Sequence, residues 1–278
     1  MQEVNPSAEL ESSAEAAAVT VQRPSPHAIP GKKYGWLSRL RSYLFFDPLI
    51  WFYTVVMGLG ALPAGWFDRD GRILHWFSRT WSWLIMRTIS SPVKVTGLEK
   101  IDTSRPHVYA ANHASAMDIP VLYVNLPFQF RIVFKKELLS YPLVGWQLKR
   151  SGQVCIDQQK PTNSINAIRS AVKSLKAGMP LVIYPEGGRT PDGYIKPFLP
   201  GAFFLALKAQ VDIVPIALIG TYELLPMDTY HVKCRPLEMR VGEPISTAGL
   251  TLRDLEALSA RVQKAVEELY YSPSSFST

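Results

Sequence analysis

A histidine and an aspartate five positions apart are spaced for acid–base chemistry. The segment AANHASAMD contains His113 and Asp118 and lies between an apolar strand pattern and the start of an apolar helix. Across such a turn a carboxylate can hold one imidazole nitrogen, which fixes the tautomer and leaves the other nitrogen free to take a proton from a hydroxyl. The same pattern also fits a structural histidine that caps a loop.

A second segment could bind an anion. An apolar strand pattern runs into the turn PEGGRT, which places Glu186, Gly187, Gly188 and Arg189 side by side. The two glycines permit a close backbone approach, and an arginine can donate two parallel hydrogen bonds to a phosphate. A tight solvent-exposed turn with a surface arginine is the alternative interpretation.

Two further positions follow or interrupt apolar strand patterns. Lys135 comes directly after the run that ends at Phe134, where a cation could reach a phosphate. Pro215 lies inside the run IVPIALI, and a proline within a strand predicts a sheet edge or a bulge because it lacks the N–H group. An edge or bulge could let an acyl chain pass, whereas ordinary core packing is the alternative.

Taken in this order, the four segments resemble the glycerophospholipid acyltransferase family, typified by lysophosphatidate (1-acyl-sn-glycerol-3-phosphate) acyltransferase. The resemblance covers roughly residues 90–245, and Asn-His-x-x-x-x-Asp followed by Pro-Glu-Gly-x-Arg is its most specific part. It implies transfer of a fatty acyl group from acyl-CoA or acyl-carrier protein to the free hydroxyl of lysophosphatidate. His113 would be the general base and Asp118 would orient it, with no covalent acyl-enzyme, no metal and no cofactor.

The resemblance also implies binding roles for the other segments. Glu186, Gly187, Gly188 and Arg189 match the acceptor-binding block, with Arg189 as the phosphate ligand. Lys135 would assist at a phosphate of acceptor or donor, and Pro215 falls in the block assigned to the acyl donor.

The chain departs from the family pattern at several cations. Gln158 and Gln159 stand where an arginine is usual, and Leu199 stands where a lysine is common. The turn reads Gly-Gly-Arg-Thr in place of Gly-Thr-Arg-Ser. Each lost cation would weaken phosphate binding by about 1.5–3 kcal/mol unless another residue replaces it. Either Lys160 and Lys196 compensate, or the acceptor is another hydroxyl-bearing lysolipid.

The elements that position these residues alternate between strand and helix from Ser91 onward. This alternation predicts an α/β fold with a central mixed sheet flanked by helices. A helix is expected over Ser164–Lys176, and a last helix begins after Thr251 with Asp254 completing a capping box. The expected strands are His107–Ala110, Phe130–Phe134, Gly152–Ile156, Leu181–Tyr184, Ile213–Ile219, Tyr230–Cys234 and Glu238–Val241.

Three regions are expected along the chain: a disordered tail over 1–33, a membrane-associating helical module over 34–90 and an α/β acyltransferase domain over 91–278. Pro48–Phe67 contains no charged residue, and as a helix of this length it would extend about 30 Å, close to the hydrocarbon thickness of a bilayer. Because its glycines and Pro63 weaken a helix, three arrangements remain open: a full span, a broken helix and a half-inserted helix. Ile73–Ile89 combines Arg79 with three tryptophans and is expected at the membrane interface. Two buried helices of a soluble fold are the alternative.

The composition of the chain indicates which classes of binding partner are expected. The 278 residues are 47% hydrophobic with a formal charge of +7, which indicates an anionic partner such as a phospholipid surface. Nucleic acid is not expected, because the basic residues are dispersed and form no binding motif. The two cysteines are expected to be reduced. Because the acyl donors are cytosolic, a membrane location with the catalytic domain facing the cytoplasm is expected. A non-catalytic lipid-binding protein and a hydrolase remain as alternative functions.

Overall fold

A mixed β-sheet forms the centre of the molecule. The structure is a computed structural model that describes residues 25–28, 34–157 and 164–274. Within those residues the sheet has seven strands in the spatial order β1-β7-β6-β2-β5-β3-β4. Neighbours are parallel throughout, except that β6 and β7 are antiparallel. The strands are β1 (Val93–Thr96), β2 (Val108–Ala111), β3 (Arg131–Lys135), β4 (Val154–Ile156), β5 (Leu181–Ile183), β6 (Ile213–Ile219) and β7 (Leu237–Val241).

Helices cover both faces of this sheet, so the predicted α/β class with a central mixed sheet is confirmed. The helix expected over Ser164–Lys176 is present, and the capping box of Thr251 and Asp254 precedes the last helix as predicted. The α-helices are α1 (Trp36–Arg41), α2 (Asp47–Phe67), α3 (Arg72–Ile89), α4 (Asp118–Asn125), α5 (Pro142–Arg150), α6 (Ile165–Lys176), α7 (Phe204–Ala209), α8 (Thr221–Leu224) and α9 (Leu255–Tyr271).

The core lies in two layers, one on each face of the sheet. Side chains alternate along β6, so that Val214, Ile216 and Leu218 pack with α3 and α4, whereas Ile213 packs with α6 and α9. All seven residues of β6 are buried, which is typical of a strand covered on both faces. The sheet is therefore a rigid platform from which the loops at the strand ends project.

Two strand predictions need correction. The segment Tyr230–Cys234 was expected as a strand, but it forms none. Its backbone is instead held near α1 and α8, because the hydroxyl of Ser42 donates to the Tyr230 carbonyl and accepts from the Val232 N–H. In contrast, β1 was not predicted, because four residues with the charged Lys94 among them give little apolar signal.

Pro215 was expected at a sheet edge or a bulge, and β6 is not an edge strand, since it lies between β2 and β7. The irregularity expected beside it is nevertheless present. Between the Ile213–Ile245 bridge and the Ile216–Val241 pair, β6 advances three residues while its partner chain moves back four. This shift is a bulge, and it places the proline where the ladder needs no N–H donor.

The first helical segments form one long apolar helix that is not broken. Trp36–Phe67 runs continuously over 32 residues with a π-helical turn at Ser42–Phe46, and it is long and apolar enough to cross a membrane. The glycines of α2 serve packing, since Gly58 contacts Leu143 of α5 and Gly60 faces Phe77 of α3. Apart from 25–28, the tail predicted over 1–33 lies outside the described residues.

The second hydrophobic segment, α3, differs in part from the expectation of an interfacial helix. Trp76 and Trp83 are exposed, as an interface position requires. Arg79, however, points inward, and its guanidinium donates to the carbonyls of Val124 and Leu126 at the end of α4. There it satisfies carbonyls that the helix leaves unpaired. The Arg79 guanidinium therefore links α3 to α4 and is not directed outward from the domain.

Candidate active site

Three loops meet at one edge of the sheet because they follow three neighbouring parallel strands. The strands β2, β5 and β3 are adjacent, and their carboxyl ends lead into His113, the PEGGRT turn and Lys135. Carboxyl ends of parallel strands lie at the same edge, where open α/β sheets bind their ligands. The structure thus brings together segments more than 70 residues apart.

His113 and Asp118 are in direct contact. The imidazole Nδ1 lies 2.8 Å from Asp118 Oδ2, and the two side chains are 18% and 0% exposed. The same carboxylate oxygen also accepts hydrogen bonds from the backbone N–H groups of Ala114 and Ser115. Because Oδ2 is the acceptor in all three bonds, Nδ1 donates its proton to Asp118 and Nε2 is left free of this carboxylate.

The backbone around His113 is fixed from two sides. The side-chain amide of Asn112 exchanges two hydrogen bonds with the backbone of Leu218 in β6, at 3.1 and 2.7 Å. The His113 carbonyl accepts from the Thr190 N–H of the PEGGRT turn at 2.9 Å. These bonds hold the imidazole between two adjacent strand ends and prevent the loop from shifting.

The Glu186 side chain joins two loops by hydrogen bonds. Its Oε1 accepts the His113 N–H at 2.6 Å, and its Oε2 accepts the Lys196 N–H at 3.0 Å. Burial raises the pKa of Glu186 to about 7, although both hydrogen bonds and the Lys196 charge lower it. Glu186 was predicted as a substrate-binding residue from its motif. In the structure both of its oxygens are engaged with the backbone of its own protein.

Tyr184 is a site residue that the sequence analysis missed. Its ring stacks on the imidazole of His113, with centroids 4.0 Å apart and planes inclined by 21°. A tyrosine at the end of an apolar strand gives no sequence signal for such a contact, because the partner lies on another strand. The stack restricts rotation of the imidazole and covers one of its faces.

The turn after Glu186 forms a basic surface. Gly187 adopts a φ of +71°, which glycine reaches without strain, and Gly188 lies beside the ammonium groups of Lys135 and Lys196. Lys196 also donates to the Arg189 carbonyl at 3.1 Å. In the part of the chain that the structure describes, the Arg189 guanidinium forms no ion pair. The predicted residues Lys135, Gly187, Gly188 and Arg189 are therefore neighbours.

Pro215 does not reach this basic surface. It lies in the middle of the sheet on β6, on the face shared with Ile213, and its ring approaches Gly242. Gln158, Gln159 and Lys160, at which the chain departs from the family pattern, lie outside the described residues. Within the described ranges, no three His, Cys, Asp or Glu side chains are grouped so that they could hold a metal ion.

Comparison with known proteins agrees with this arrangement. The family model described as Acyltransferase matches residues 92–219, a range that contains His113, Lys135, the PEGGRT turn and β6. A crystal structure of the 1-acyl-sn-glycerophosphate acyltransferase PlsC from Thermotoga maritima superimposes with a TM-score of 0.69. It is 26% identical, and the match covers 86% of this chain and 98% of that one. Residues 92–219 are therefore an acyltransferase domain.

Curated relatives that match this domain carry consistent names. The chloroplastic 1-acyl-sn-glycerol-3-phosphate acyltransferases of Brassica napus and Arabidopsis thaliana are 32% and 31% identical over 162 and 177 residues. These matches cover 58% and 63% of this chain but only 46% and 49% of the relatives, so the chain spans about half of their length. The alpha form of that enzyme from Homo sapiens is 30% identical, with 63% and 62% covered.

Proposed function

We propose that this protein transfers a fatty acyl group from a thioester to the free hydroxyl of lysophosphatidate, which yields phosphatidate for phospholipid synthesis. One observation carries the proposal: an imidazole held by a carboxylate lies at the same sheet edge as a group of cations that form no ion pair among the described residues. The names of the relatives from Brassica napus and Homo sapiens support lysophosphatidate as the acceptor.

The chemistry follows from the His113–Asp118 pair. Nε2 of His113 takes the proton of the acceptor hydroxyl as its oxygen attacks the thioester carbonyl. Asp118 stabilises the imidazolium that forms. The tetrahedral intermediate collapses with loss of the thiolate, which receives the proton from the imidazolium. A thioester is already activated, so direct transfer needs no acyl-enzyme and no cofactor.

The acyl donor is acyl-CoA or acyl-carrier protein, both of which offer a thioester. Either would reach the sheet edge from the aqueous side. The proposal assigns Lys135 to a phosphate because its side chain extends from the end of β3 toward Gly188. The assignment of Pro215 to the donor site rests on the family resemblance alone, since the ring lies within the sheet.

Both the acceptor and the product are membrane lipids, and the outer face of the long helix is suited to a membrane. Trp51 and Phe52 on α2 are 60% and 59% exposed, and neighbouring apolar residues are exposed as well. The opposite face of α2 packs on α3 and α5, from the Thr54–Trp81 hydrogen bond to the Gly65 contact with Trp146. This packing favours a helix that lies in one leaflet. The domain would face the cytoplasm because the acyl donors are cytosolic.

Replacement of His113 by alanine tests the proposal. The purified variant should retain the thermal stability and vesicle binding of the wild type but lose acyl transfer from labelled acyl-CoA to lysophosphatidate. His231→Ala is the matched control, because that ring binds Ser38 outside the site. Full transfer activity in the His113→Ala protein would exclude this imidazole as the base.

The same assay separates the alternative functions. A hydrolase would release free fatty acid faster than it forms phosphatidate, because water would replace the lipid hydroxyl. A non-catalytic lipid-binding protein would bind lysophosphatidate without turnover in any variant. If another lysolipid is consumed while lysophosphatidate is not, the reaction class stands and the acceptor is wrong.

A further inference from the structure

Two ammonium groups lie beside Gly188. A Cβ atom placed on Gly188 would lie 3.1 Å from Lys135 Nζ and 3.9 Å from Lys196 Nζ. Arg189 is the next residue. Among the described residues, none of these three side chains forms an ion pair with a carboxylate. Like charges at this spacing repel one another, so an anion bound between them would relieve the repulsion.

Lys196 is held in this cluster by its backbone and its side chain. Its N–H donates to Glu186 Oε2 at 3.0 Å, and its Nζ donates to the Arg189 carbonyl at 3.1 Å. An ammonium group has three N–H donors, so two remain for a ligand. The side chain is therefore directed toward the cluster before any ligand binds, which lowers the entropic cost of binding.

We infer that Lys196 determines acceptor specificity by binding a phosphate monoester together with Lys135 and Arg189. The inference rests on the proposed function and deepens it, because the family resemblance assigns no role to this position. Gly188 lines the subsite beside the two ammonium groups. A larger residue there would displace the Lys135 ammonium, since its Cβ would come within 3.1 Å of that nitrogen.

The acceptor and a CoA donor both carry phosphate, and the geometry favours the acceptor. The two oxygens of Glu186 bind the backbone N–H groups of His113 and Lys196, so one carboxylate joins the backbone that carries the imidazole to the backbone that carries the Lys196 ammonium. In lysophosphatidate the phosphate and the free hydroxyl are on neighbouring carbons of one glycerol. Such a ligand requires the base and the phosphate subsite to lie on adjoining segments, as His113 and Lys196 do through Glu186.

The test is calorimetric titration of the whole protein in detergent, without acyl donor. The ligands are lysophosphatidate and a monoacylglycerol of the same chain length, which lacks the phosphate. Lys196→Met should weaken lysophosphatidate binding about tenfold or more, the loss expected for a charge-assisted hydrogen bond, and leave monoacylglycerol binding unchanged. Lys196→Arg, which keeps the charge, should retain most of the affinity. Lys176→Met, at the exposed end of α6, is the control for net charge.

Steady-state kinetics of the same variants distinguish the two phosphate sources. The KM for lysophosphatidate should rise in Lys196→Met while the KM for acyl-CoA stays constant. A rise in the acyl-CoA KM alone, an equal loss for both titrated ligands, or no lysophosphatidate binding by the wild type would overturn the inference. If binding falls as expected but the wild type transfers no acyl group, the proposed function fails and the phosphate assignment of Lys196 stands.

Discussion

The Glu186 carboxylate and the His113 backbone are joined by a hydrogen bond of 2.6 Å between the ends of two neighbouring strands. This bond fixes the loop that carries the imidazole. It also leaves a carboxyl group buried, and the burial raises its pKa from 4.5 to about 7. Glu186 therefore couples the position of His113 to pH.

The first prediction concerns the pH dependence of stability. Because the folded state holds the Glu186 proton more tightly than the unfolded state, its contribution is fully present below about pH 4.5 and is lost as the pH rises through about 7. Between pH 5 and 8 the loss amounts to about 2 to 3 kcal/mol. Glu186→Gln removes the ionisable group and with it this pH dependence. The free energy of unfolding of the variant relative to the wild type should therefore rise by that amount between pH 5 and 8.

This difference is measured by urea unfolding of both proteins in detergent. The comparison is needed because His75 acts in the opposite direction. Burial against Tyr123 and Phe130 lowers the pKa of His75 to about 4, so its contribution to stability grows as the pH rises from about 4 to 6.5. His75 is present in both proteins, so its contribution cancels when their free energies of unfolding are subtracted. A difference that does not vary with pH would contradict the prediction for Glu186.

The second prediction concerns the charge of Asp118. Asp118→Asn keeps an oxygen that can accept from His113 and from the backbone of the loop before α4. It removes the charge that stabilises the imidazolium in the proposed mechanism. We expect kcat to fall by about 10²- to 10⁴-fold, the usual contribution of general base catalysis, with little change in the acceptor KM.

Asp254→Asn is the control for Asp118, since Asp254 caps the last helix and contacts no site residue. Both variants should unfold within about 1 kcal/mol of each other, because each changes one local set of hydrogen bonds. Wild-type kcat in Asp118→Asn would show that the carboxylate does not assist His113.

Much of the site follows from local sequence, and the rest depends on the order of the strands. His113 and Asp118 meet across one turn, a contact that their spacing allowed and that the family resemblance implied. The contacts of Tyr184 and Glu186 with His113 require β5 to lie beside β2, which no single segment reveals. Lys196 was considered only as a compensating charge, because its convergence with Lys135 depends on β3 and β5 being adjacent.

The secondary structure shows the same difference between features that local sequence indicates and features that depend on tertiary packing. Strands with a continuous apolar run, such as β6, were predicted with correct bounds because burial on both faces requires that pattern. The apolar pattern at Tyr230–Cys234 was misread as a strand. Val232 is buried there, but the segment packs beside α1 and pairs with the side chain of Ser42. An apolar residue indicates that a position is buried and does not indicate what covers it.

The third prediction concerns the stack of Tyr184 on His113. Tyr184→Ala removes the ring that restricts the imidazole, and an aromatic contact of this kind contributes about 0.5–1.5 kcal/mol beyond its buried area. We expect kcat to fall about tenfold while the KM values for both substrates change little. Tyr184→Phe should restore kcat, because the phenyl ring preserves the stack.

The Tyr184 hydroxyl provides an independent check. It is buried and has no hydrogen-bond partner among the described residues, and burial raises the pKa of Tyr184 well above its ordinary value. Removing an unpaired buried hydroxyl does not cost a hydrogen bond, so Tyr184→Phe should be at least as stable as the wild type in thermal unfolding. A loss of activity in Tyr184→Phe equal to that in Tyr184→Ala would assign the effect to the hydroxyl and not to the stack.

The fourth prediction concerns the exposed face of α2. Replacing both Trp51 and Phe52 by serine removes two large apolar side chains that are more than half exposed and that pack little against the domain. Since membrane binding scales with the apolar area buried, co-sedimentation with anionic phospholipid vesicles should fall at least about tenfold. Acyl transfer to a short-chain lysophosphatidate that is monomeric in solution should persist, because the site lies at the sheet edge and not on this helix.

Ile165→Ser combined with Leu252→Ser is the matched control for the helix variant. Both residues are 45% exposed but lie on α6 and before α9, away from the long helix. That control should bind vesicles like the wild type. Equal vesicle binding by both double variants would show that the membrane contact lies elsewhere. Loss of transfer to the monomeric acceptor would instead show that α2 supports the site through α3 and α5, on which it packs.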